Sequence, residues 1–248
     1  MCGRFTVSRD PSDAIARIRG LRDDRYAVFQ PRYNVAPTQR VLAVINDGDR
    51  SARELRWGLI PPWVADPTKM KLTTFNARIE TIATAPSYRS ALRSQRAALP
   101  ATGFFEWKKS PDGSKTPYWI HLKSDDIFFF AGLWERWIDR DSDGMIESCT
   151  IITQQSNTFM ELIHSRMPVV LNADAIDEWL SLDHREAPDL LPILTPTPSD
   201  EWTAHRVSAA VGNVRNIGSE LIEKIAAHRF RLVYDCFKHD SGRTLNPE

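Results

Sequence analysis

The residue with the greatest chemical potential is Cys2, in the opening segment Met-Cys-Gly-Arg-Phe. Removal of Met1 would leave one residue with two nucleophiles, an α-amine and a thiol with reference pKa values of about 8 and 8.5, so we expect both to be partly unprotonated near neutral pH. The amine can condense with an aldehyde to an imine, and the thiol can close on the same carbon to a thiazolidine ring in an intramolecular step. The sequence therefore favours aldehyde chemistry first and acyl transfer second. The alternative is an unreactive residue in a frayed terminus.

Two further residues could move protons. Glu106 lies in an apolar strand pattern, on the same face as Phe104 by alternation. On a buried face this carboxylate could act as a general acid or base, whereas on a solvated face it would be an ordinary strand residue, and the pattern leaves both open. His164 precedes Arg166 on a turn enforced by Pro168, a position that suits proton transfer better than the usual structural role of a histidine.

A second group of side chains could contact nucleic acid. Asn76 and Arg78 are two residues apart, so an extended segment would present both on one face, and the planar guanidinium suits phosphate. The alternative for this pair is a solvated helix start. Asn34 either satisfies a turn or contacts a ligand. Trp63 follows a Pro-Pro pair and is expected to be exposed as a stacking surface for bases, whereas Trp57 is expected in the core.

Composition indicates a globular protein without a strong overall charge. The chain has 248 residues, 42% hydrophobic and 26% charged, which is enough for one large domain with a real core. Its 32 basic and 32 acidic residues cancel, so a nucleic-acid site must come from local clustering of arginine. Three cysteines without a CxxC pair argue against a disulfide framework or a zinc site and fit a reducing cytoplasm. We find no apolar run of about 18 residues and no signal-peptide pattern, so no membrane span is expected.

The elements that must position these residues form an α+β pattern. A hairpin over 40–46 and 51–60, followed by strand signals over 97–153, predicts an antiparallel meander bent into a β-barrel. Helices are predicted to flank it at 11–20, 86–96, 156–163, 173–181 and 219–228. The prediction is completed by a proline-rich loop over 184–206, a single domain over 1–237 and a polar tail over 238–248.

One acidic loop imitates a metal site. Residues 139–144 copy the start of an EF-hand loop, but Thr150 stands at the twelfth position, where a bidentate glutamate is needed, and both flanks have strand character. We therefore interpret the loop as a hairpin turn and expect no metal and no cofactor.

Six segments in a fixed order resemble one family. They are the N-terminal Met-Cys-Gly-Arg-Phe and residues 32–37 (Arg-Tyr-Asn-Val-Ala-Pro), 56–61 (Arg-Trp-Gly-Leu-Ile-Pro), 76–81 (Asn-Ala-Arg-Ile-Glu-Thr), 103–107 (Gly-Phe-Phe-Glu-Trp) and 164–168 (His-Ser-Arg-Met-Pro). Each is weak alone, but together they closely resemble the SOS-response-associated peptidase (SRAP) family, also called abasic-site processing proteins. The resemblance implies a single α+β domain around a bent β-barrel that senses abasic sites in single-stranded DNA and cross-links to them.

The resemblance also implies roles for the reactive residues. Cys2 is similar to the nucleophile that forms a thiazolidine with the ring-opened sugar aldehyde, and Asn76 to the residue that orients the N-terminus and the sugar. Glu106 resembles the acid/base group at the N-terminal amine, and His164 the group that assists ring opening and proton transfer. Two positions depart from the family pattern, Ala97 in place of a frequent cysteine and Phe105 in place of a frequent tyrosine.

A second set of residues is similar to the family's DNA contacts. Arg4, Asn34, Arg78 and Arg166 resemble phosphate and sugar contacts, and Trp107 resembles part of the DNA-facing surface. An abasic site offers no base edge, so recognition must come from phosphate contacts, stacking and the aldehyde itself. A neutral protein with a local arginine cluster should bind modestly and with a strong dependence on salt.

The implied activity is a covalent DNA–protein cross-link that protects the lesion in the DNA damage response. The resemblance implies a hydrolase or peptidase class, with autoproteolytic processing of the N-terminus and a strand-cleaving lyase side activity. We expect single-stranded DNA with an abasic site as the partner, no membrane, a monomer, and a cytoplasmic protein that joins the nucleoid when bound to DNA. The alternatives are an N-terminal-cysteine amidotransferase or hydrolase, a peptidase acting in trans, and a non-enzymatic single-strand binder.

Overall fold

The computed structural model describes residues 2–225, apart from residues 24–27, 72, 140, 141, 143 and 183–185. Sheet dominates the mixed α+β fold, and the helices are short. The predicted α+β class and bent barrel are thereby confirmed. The predicted domain end at 237, the polar tail from 238 and the end of the predicted helix 219–228 lie outside the described residues.

The elements have the following bounds in chain order. The strands are β1 (Phe5–Val7), β2 (Leu21–Asp23), β3 (Arg32–Val35), β4 (Arg40–Asn46), β5 (Arg50–Trp57), β6 (Asn76–Arg78), β7 (Arg96–Ala101), β8 (Gly103–Lys109), β9 (Lys115–Leu122), β10 (Phe128–Ile138), β11 (Met145–Gln155), β12 (Arg166–Pro168), β13 (Val170–Leu171) and β14 (Trp202–Arg206). The α-helices are α1 (Ser12–Ala16), α2 (Arg89–Ser94), α3 (Ala173–Trp179) and α4 (Ala187–Leu190). Single 3-10 turns lie at Pro67–Lys69, Met160–Leu162, Leu191–Ile193, Ser199–Glu201, Ala209–Gly212 and Ser219–Ile222.

Five strands close into a barrel at the centre of the molecule. They pair in the cyclic order β4, β5, β11, β10, β7 and back to β4. Every pairing in this ring is antiparallel except the closing contact, in which β11 runs parallel to β5. Alternate side chains of each strand point inward, as the two-residue period of a strand requires, and they form the main apolar core.

A second, five-stranded antiparallel sheet packs against the barrel in the order β14-β9-β8-β1-β3. In its middle, β1 and β8 are neighbours, with Phe5 opposite Phe104. The backbone amide of Phe105 also donates to the Arg4 carbonyl at 3.0 Å. Because Cys2 immediately precedes β1, this pairing brings the N-terminal segment alongside the strand that carries Glu106.

Phe5 anchors the N-terminal segment in the core. Its ring makes edge-to-face contacts with Trp57 of β5 at a centroid distance of 5.1 Å and with Phe130 of β10 at 5.6 Å. All three side chains are almost fully buried. Burial of one such ring contributes roughly 1.5–3 kcal/mol, so the position of Cys2 is set by barrel packing and not by the terminus itself.

The structure confirms the predicted hairpin and corrects one predicted helix. Strand β4 has the predicted bounds, and its partner β5 ends at Trp57, before the predicted residue 60. The helix predicted over 156–163 is wrong, since only the turn Met160–Leu162 forms. Asn157 accepts the Met160 amide with its own side chain, and Ser156 pairs with Ser165 through the backbone, so local polar bonds replace helical ones.

The proline-rich segment 184–206 is more ordered than predicted. It contains α4 and ends in β14, whose five residues pair with β9 at the edge of the second sheet. Trp202 at the start of β14 is buried and packs against Phe104 and Phe128. The prediction of a loop here was wrong because four prolines masked a short strand whose pairing is decided by burial of one tryptophan.

Candidate active site

Cys2 is fully buried in the main apolar core. Its Sγ lies 3.8 Å from the Arg4 carbonyl O, and its own carbonyl O accepts from Asn76 Nδ2 at 2.9 Å. Burial, reinforced by the nearby Glu106 carboxylate, raises the pKa of the Cys2 thiol. The expectation of a partly unprotonated thiol near neutral pH is therefore wrong for this state, because desolvation disfavours the thiolate.

Asn76 is held from both sides of the short strand β6. This strand runs parallel to β11, with Asn76 opposite Ile151, and the Tyr88 hydroxyl donates to the Asn76 carbonyl O at 3.2 Å. While Nδ2 binds Cys2, the Asn76 Oδ1 is buried and accepts no hydrogen bond within the part of the chain that the structure describes. A buried acceptor of this kind is suited to a substrate hydroxyl or amine.

The sequence left open whether Glu106 faces the core or solvent, and the structure buries it, with 3% of the residue exposed. Strand β8 is covered on both faces, since Phe104 belongs to the main core and Phe105 to a smaller cluster. The alternation of the sequence could not show this, because a strand covered on both faces has no solvated side. On the Phe104 face, the carboxylate lies close enough to Cys2 to act on its thiol electrostatically.

His164 faces the same carboxylate. Its Nε2 lies 3.9 Å from Glu106 Oε2, and 28% of the histidine side chain is exposed. The backbone amide of Arg166 donates to His164 Nδ1 at 3.0 Å. The Arg166 carbonyl O lies 3.2 Å from the same Nδ1 and could accept from it in the other tautomer. The amide contact is the shorter of the two, and because an amide can only donate, it favours a neutral His164 with its proton on Nε2, toward Glu106.

Arg166 is engaged within the protein. Its guanidinium binds both oxygens of Glu80, at 2.7 and 3.0 Å, and the Thr153 carbonyl O at 2.7 Å. Only 13% of its side chain is exposed. Glu80 thus accepts from two of the five N–H groups of the guanidinium and Thr153 from a third, while Nε is buried without an acceptor among the described residues. The phosphate contact expected of Arg166 stays a prediction.

Two other arginines are more accessible. Arg78 is exposed on β6 and forms no ion pair within the described ranges. Arg4 is half-buried, with Nη1 donating to the Gly3 carbonyl O at 2.9 Å, and burial lowers the pKa of its guanidinium. The Arg4 Nε is buried and has no hydrogen-bond acceptor among the described residues. Both cations stand next to reactive residues in sequence, and their phosphate contacts stay predictions.

Asn34 forms hydrogen bonds with the segment 211–216. It is buried on β3, and its Nδ2 lies within hydrogen-bond distance of three carbonyl oxygens, those of Val211 at 3.2 Å, Asn213 at 3.1 Å and Asn216 at 2.9 Å. This amide therefore holds residues 211–216 against the second sheet. The sugar or phosphate contact expected of Asn34 stays a prediction.

The two candidate aromatic contacts differ in exposure. Trp63 is 54% exposed and Trp57 is fully buried, as their surroundings in the sequence predicted. Trp107 is half-buried and packs on the small cluster around Phe105 and Trp119. Trp63 is therefore free to stack on a base, whereas Trp107 can offer only part of its ring to a ligand.

Four of the predicted residues, Cys2, Asn76, Glu106 and His164, thus form a connected centre. The remaining candidates form its surround, which consists of Arg4, Asn34, Trp63, Arg78, Trp107 and Arg166. Asn76 binds Cys2, Glu106 acts on Cys2 electrostatically, and His164 faces Glu106. Two residues at this centre, Tyr88 and Glu80, were not anticipated as functional, and only the place of Glu80 within residues 76–81 could have drawn attention to it. Chemically, the centre combines a thiol, a carboxylate and an imidazole beside an unused amide oxygen, a set suited to proton transfer at a covalent adduct.

The described residues lack two kinds of feature, a metal-binding cluster and a membrane-spanning helix. In the part of the chain that the structure describes, no group of three or more histidine, cysteine, aspartate or glutamate residues could hold a metal ion. Among the same residues, no helix is long and apolar enough to cross a membrane.

Comparisons with known proteins agree on one family. The family model described as "SOS response associated peptidase (SRAP)" matches residues 1–214. The chain is 41% identical over 224 residues to the abasic site processing protein YoqW of Bacillus subtilis, covering 90% of this chain and 99% of that protein. It is 33% identical to YedK of Escherichia coli over 91% of this chain and 100% of that one, and 30% identical to HMCES of Xenopus tropicalis over 91% and 78%, both also named abasic site processing proteins.

Solved structures show the same fold. A protein from Bacteroides thetaiotaomicron superposes with a TM-score of 0.79 at 25% identity and covers 91% of this chain and 100% of that chain. A phage-related protein from Bordetella bronchiseptica superposes with a TM-score of 0.66 at 26% identity and covers 83% and 94%.

Proposed function

The chain belongs to the SOS response associated peptidase (SRAP) family, and from that premise we propose that it processes abasic sites in DNA by a covalent cross-link through Cys2. Relatives at 30–41% identity carry abasic-site processing in their names. The observation that supports the chemistry is the connected set in which Asn76 binds Cys2, Glu106 lies close to the Cys2 thiol, and His164 faces Glu106. The substrate is an abasic site in single-stranded DNA.

The first step exposes the aldehyde of the sugar. A closed abasic sugar opens when the proton of its C1 hydroxyl is removed and its ring oxygen gains a proton. His164, with its proton on Nε2, donates to the ring oxygen, and Glu106 accepts the hydroxyl proton. The separation of 3.9 Å between Nε2 and Oε2 leaves both groups near one sugar.

The second step forms the cross-link. Met1 lies outside the described residues, and its removal is part of the proposal. The freed α-amine of Cys2 adds to the aldehyde carbon, and loss of water gives an imine. The thiol then adds across the C=N bond, so that sulfur bonds to carbon and the thiol proton moves to nitrogen. One water is released in total, with no oxidant or cofactor. A protonated thiol suits this order, because the amine attacks first.

Residues of the surround bind the DNA on either side of the lesion. Arg78 and Arg4 bind the phosphates that flank the lesion, and Trp63 stacks on a neighbouring base. Arg166 and Asn34, which already bind protein groups, support the site more than they contact DNA. The protein acts as a cytoplasmic monomer that joins the nucleoid on binding DNA and shields the lesion, with N-terminal autoprocessing and strand cleavage as side activities.

The alternative is an N-terminal-cysteine amidotransferase or hydrolase. Acyl transfer begins with attack by a thiolate, and the raised pKa of the Cys2 thiol disfavours that species. Glutaminase or amidase activity without DNA would support this alternative. A peptidase acting in trans has the same need for an activated nucleophile.

The proposal is tested by mixing the protein with a single-stranded oligonucleotide that carries one abasic site and running a denaturing gel. We expect a heat-stable shifted band with the wild type and none with an intact strand. Cys2→Ala should lose the band and keep weak strand binding, while Cys149→Ala, at another buried thiol, should keep the band. An undiminished band with Cys2→Ala would rule out the proposed chemistry.

A further inference from the structure

The Glu80 carboxylate holds Arg166 with both of its oxygens. Oε1 accepts from Nη1 at 2.7 Å and Oε2 from Nη2 at 3.0 Å, the geometry of strong arginine–carboxylate pairs. Thr153 binds the same guanidinium through its carbonyl O at 2.7 Å. Arg166 is 13% exposed and Glu80 40%, so the cation is largely sequestered while its partner reaches the surface. The position of Arg166 is therefore set by Glu80 and Thr153.

The backbone of Arg166 in turn determines the proton position on His164. Its amide N lies 3.0 Å and its carbonyl O 3.2 Å from Nδ1, so the placement of this one residue decides which tautomer is stabilised. The shorter amide contact favours the proton on Nε2, which faces Glu106 Oε2 at 3.9 Å. Arg166 is also the first residue of β12 and pairs with Gln155 of β11. A displaced Arg166 would carry away the amide that orients the ring.

We propose that Glu80 is a positioning residue for the reaction, which holds His164 in its Nε2–H form by holding Arg166. The inference rests on the proposed function, because only there does His164 transfer a proton. Glu80 acts through Arg166 and touches neither the sugar nor the reacting atoms. Its effect falls on the rate of cross-linking and not on DNA affinity, since most N–H groups of the guanidinium are already bound to Glu80 and Thr153.

Glu80→Gln removes the charge and replaces one acceptor oxygen by a donor that repels the guanidinium. A largely buried cation then loses its counter-ion, so Arg166 must shift to find another partner. Misplacement of a catalytic group by about 1 Å can cost up to about 100-fold in rate, and we expect cross-linking at saturating DNA to slow about 10-fold. Glu80→Asp keeps the charge on a shorter side chain and should recover part of the rate.

The direct readout is the histidine tautomer, measured in the DNA-free protein from ring nitrogen chemical shifts and assigned with His164→Gln. The wild type should show the Nε2–H form, and Glu80→Gln a mixture with Nδ1–H. This measurement does not depend on any reaction with DNA. The proposed function can therefore fail, with no cross-link by the wild type, while the tautomer result still reports on the positioning.

Kinetics complete the test. For Glu80→Gln we expect the maximal cross-linking rate to fall while the half-saturating DNA concentration changes less than about 2-fold, because the lost contact is internal. The matched control is Glu161→Gln, an exposed carboxylate on the turn before His164, which should change neither rate nor tautomer. The inference is wrong if Glu80→Gln keeps the wild-type tautomer and rate, or if its whole defect is weaker DNA binding.

Discussion

Burial affects two groups at Cys2, the thiol itself and the carboxylate beside it. Burial raises the pKa of the Cys2 thiol, and it also shields the neighbouring Glu106 carboxylate from water. In the proposed function, proton transfer between Cys2, the substrate and Glu106 takes place in this buried environment, where charges interact more strongly than in water. Residue type alone suggested a reactive thiolate, whereas burial favours the protonated thiol, which is compatible with the amine-first order of the proposed function.

The Glu106 carboxylate gives the first prediction. Glu106→Gln keeps the shape and removes the proton acceptor, so we expect cross-linking, or its reversal, to slow about 100-fold or more with little change in strand affinity. The measurement is the single-turnover rate at saturating abasic oligonucleotide, with affinity taken from binding to an intact strand.

Glu135 offers a matched control for this substitution. It is a second buried carboxylate, on β10, whose pKa is raised by burial and which accepts from Gln95 Nε2 at 3.0 Å. Glu135→Gln should leave the cross-linking rate unchanged, because this side chain is bound to Gln95 and has no part in the proposed proton transfers. A defect of Glu106→Gln confined to affinity would contradict the acid/base role.

At the scale of elements, one arginine joins two helices to the barrel. The predicted helix over 86–96 included Arg96, but this residue begins β7 and is 2% exposed. Its guanidinium donates to the carbonyl oxygens of Leu92 at 2.9 Å and Arg93 at the end of α2, and to those of Trp179 at 2.6 Å and Ser181 at the end of α3. These carbonyls are the ones that a helix end leaves without internal partners.

Arg96→Lys should therefore destabilise the fold. A lysine has one nitrogen where arginine has three, so several helix-end carbonyls lose their donor at a cost of about 2–4 kcal/mol in the free energy of unfolding. Urea denaturation followed by tryptophan fluorescence measures this loss. The control is Arg93→Lys, an exposed arginine paired with exposed Glu186, which should cost less than about 1 kcal/mol. Equal effects of the two substitutions would contradict the bridging role.

Some of the secondary-structure elements and contacts could be predicted from the sequence, and others could not. The hairpin of β4 and β5 and the strand around Glu106 were predictable, because alternation and turn residues act locally. The parallel pairing of β6 with β11, which delivers Asn76 to Cys2, was not, since it joins segments about 75 residues apart in sequence. The contact between Glu80 and Arg166 spans a similar distance. Motif order indicated the candidate residues, and long-range packing decided which of them touch.

At the scale of the whole molecule, buried weak acids couple stability to alkaline pH. Burial raises the pKa of the Cys2 and Cys149 thiols and that of Tyr88, the last to about 12. A group with a raised folded-state pKa contributes fully below its unfolded pKa, and its contribution is lost as pH rises above that value. For the thiols, whose unfolded pKa is about 8.5, the loss begins near that pH.

We therefore expect the free energy of unfolding to fall as pH rises from about 8 to 10. Each thiol that stays protonated in the fold contributes a slope of about 1.4 kcal/mol per pH unit above its unfolded pKa. Cys149→Ala should lower the total slope by about that amount, whatever its effect at pH 7. Urea denaturation across the pH series measures it, and identical slopes for wild type and variant would show that Cys149 does not stay protonated.

The overall charge of the molecule bears on how tightly and for how long it can hold DNA. Equal numbers of basic and acidic residues leave the protein without a net charge to attract DNA, and in the proposed function Arg4 and Arg78 meet the phosphates. Such binding is modest and weakens with salt. In the proposed function, a covalent bond at the lesion supplies the lifetime that non-covalent binding lacks, and selectivity comes from the aldehyde.

The most direct test of this account is the intact mass of the protein after incubation with a single-stranded oligonucleotide carrying one abasic site. We expect a species equal to the protein without Met1 plus the oligonucleotide minus one water, stable to heat, and absent with an intact strand or with Cys2→Ala. A protein that has lost Met1, keeps an unmodified Cys2 and forms no adduct would contradict the cross-linking chemistry and favour an amidotransferase or hydrolase.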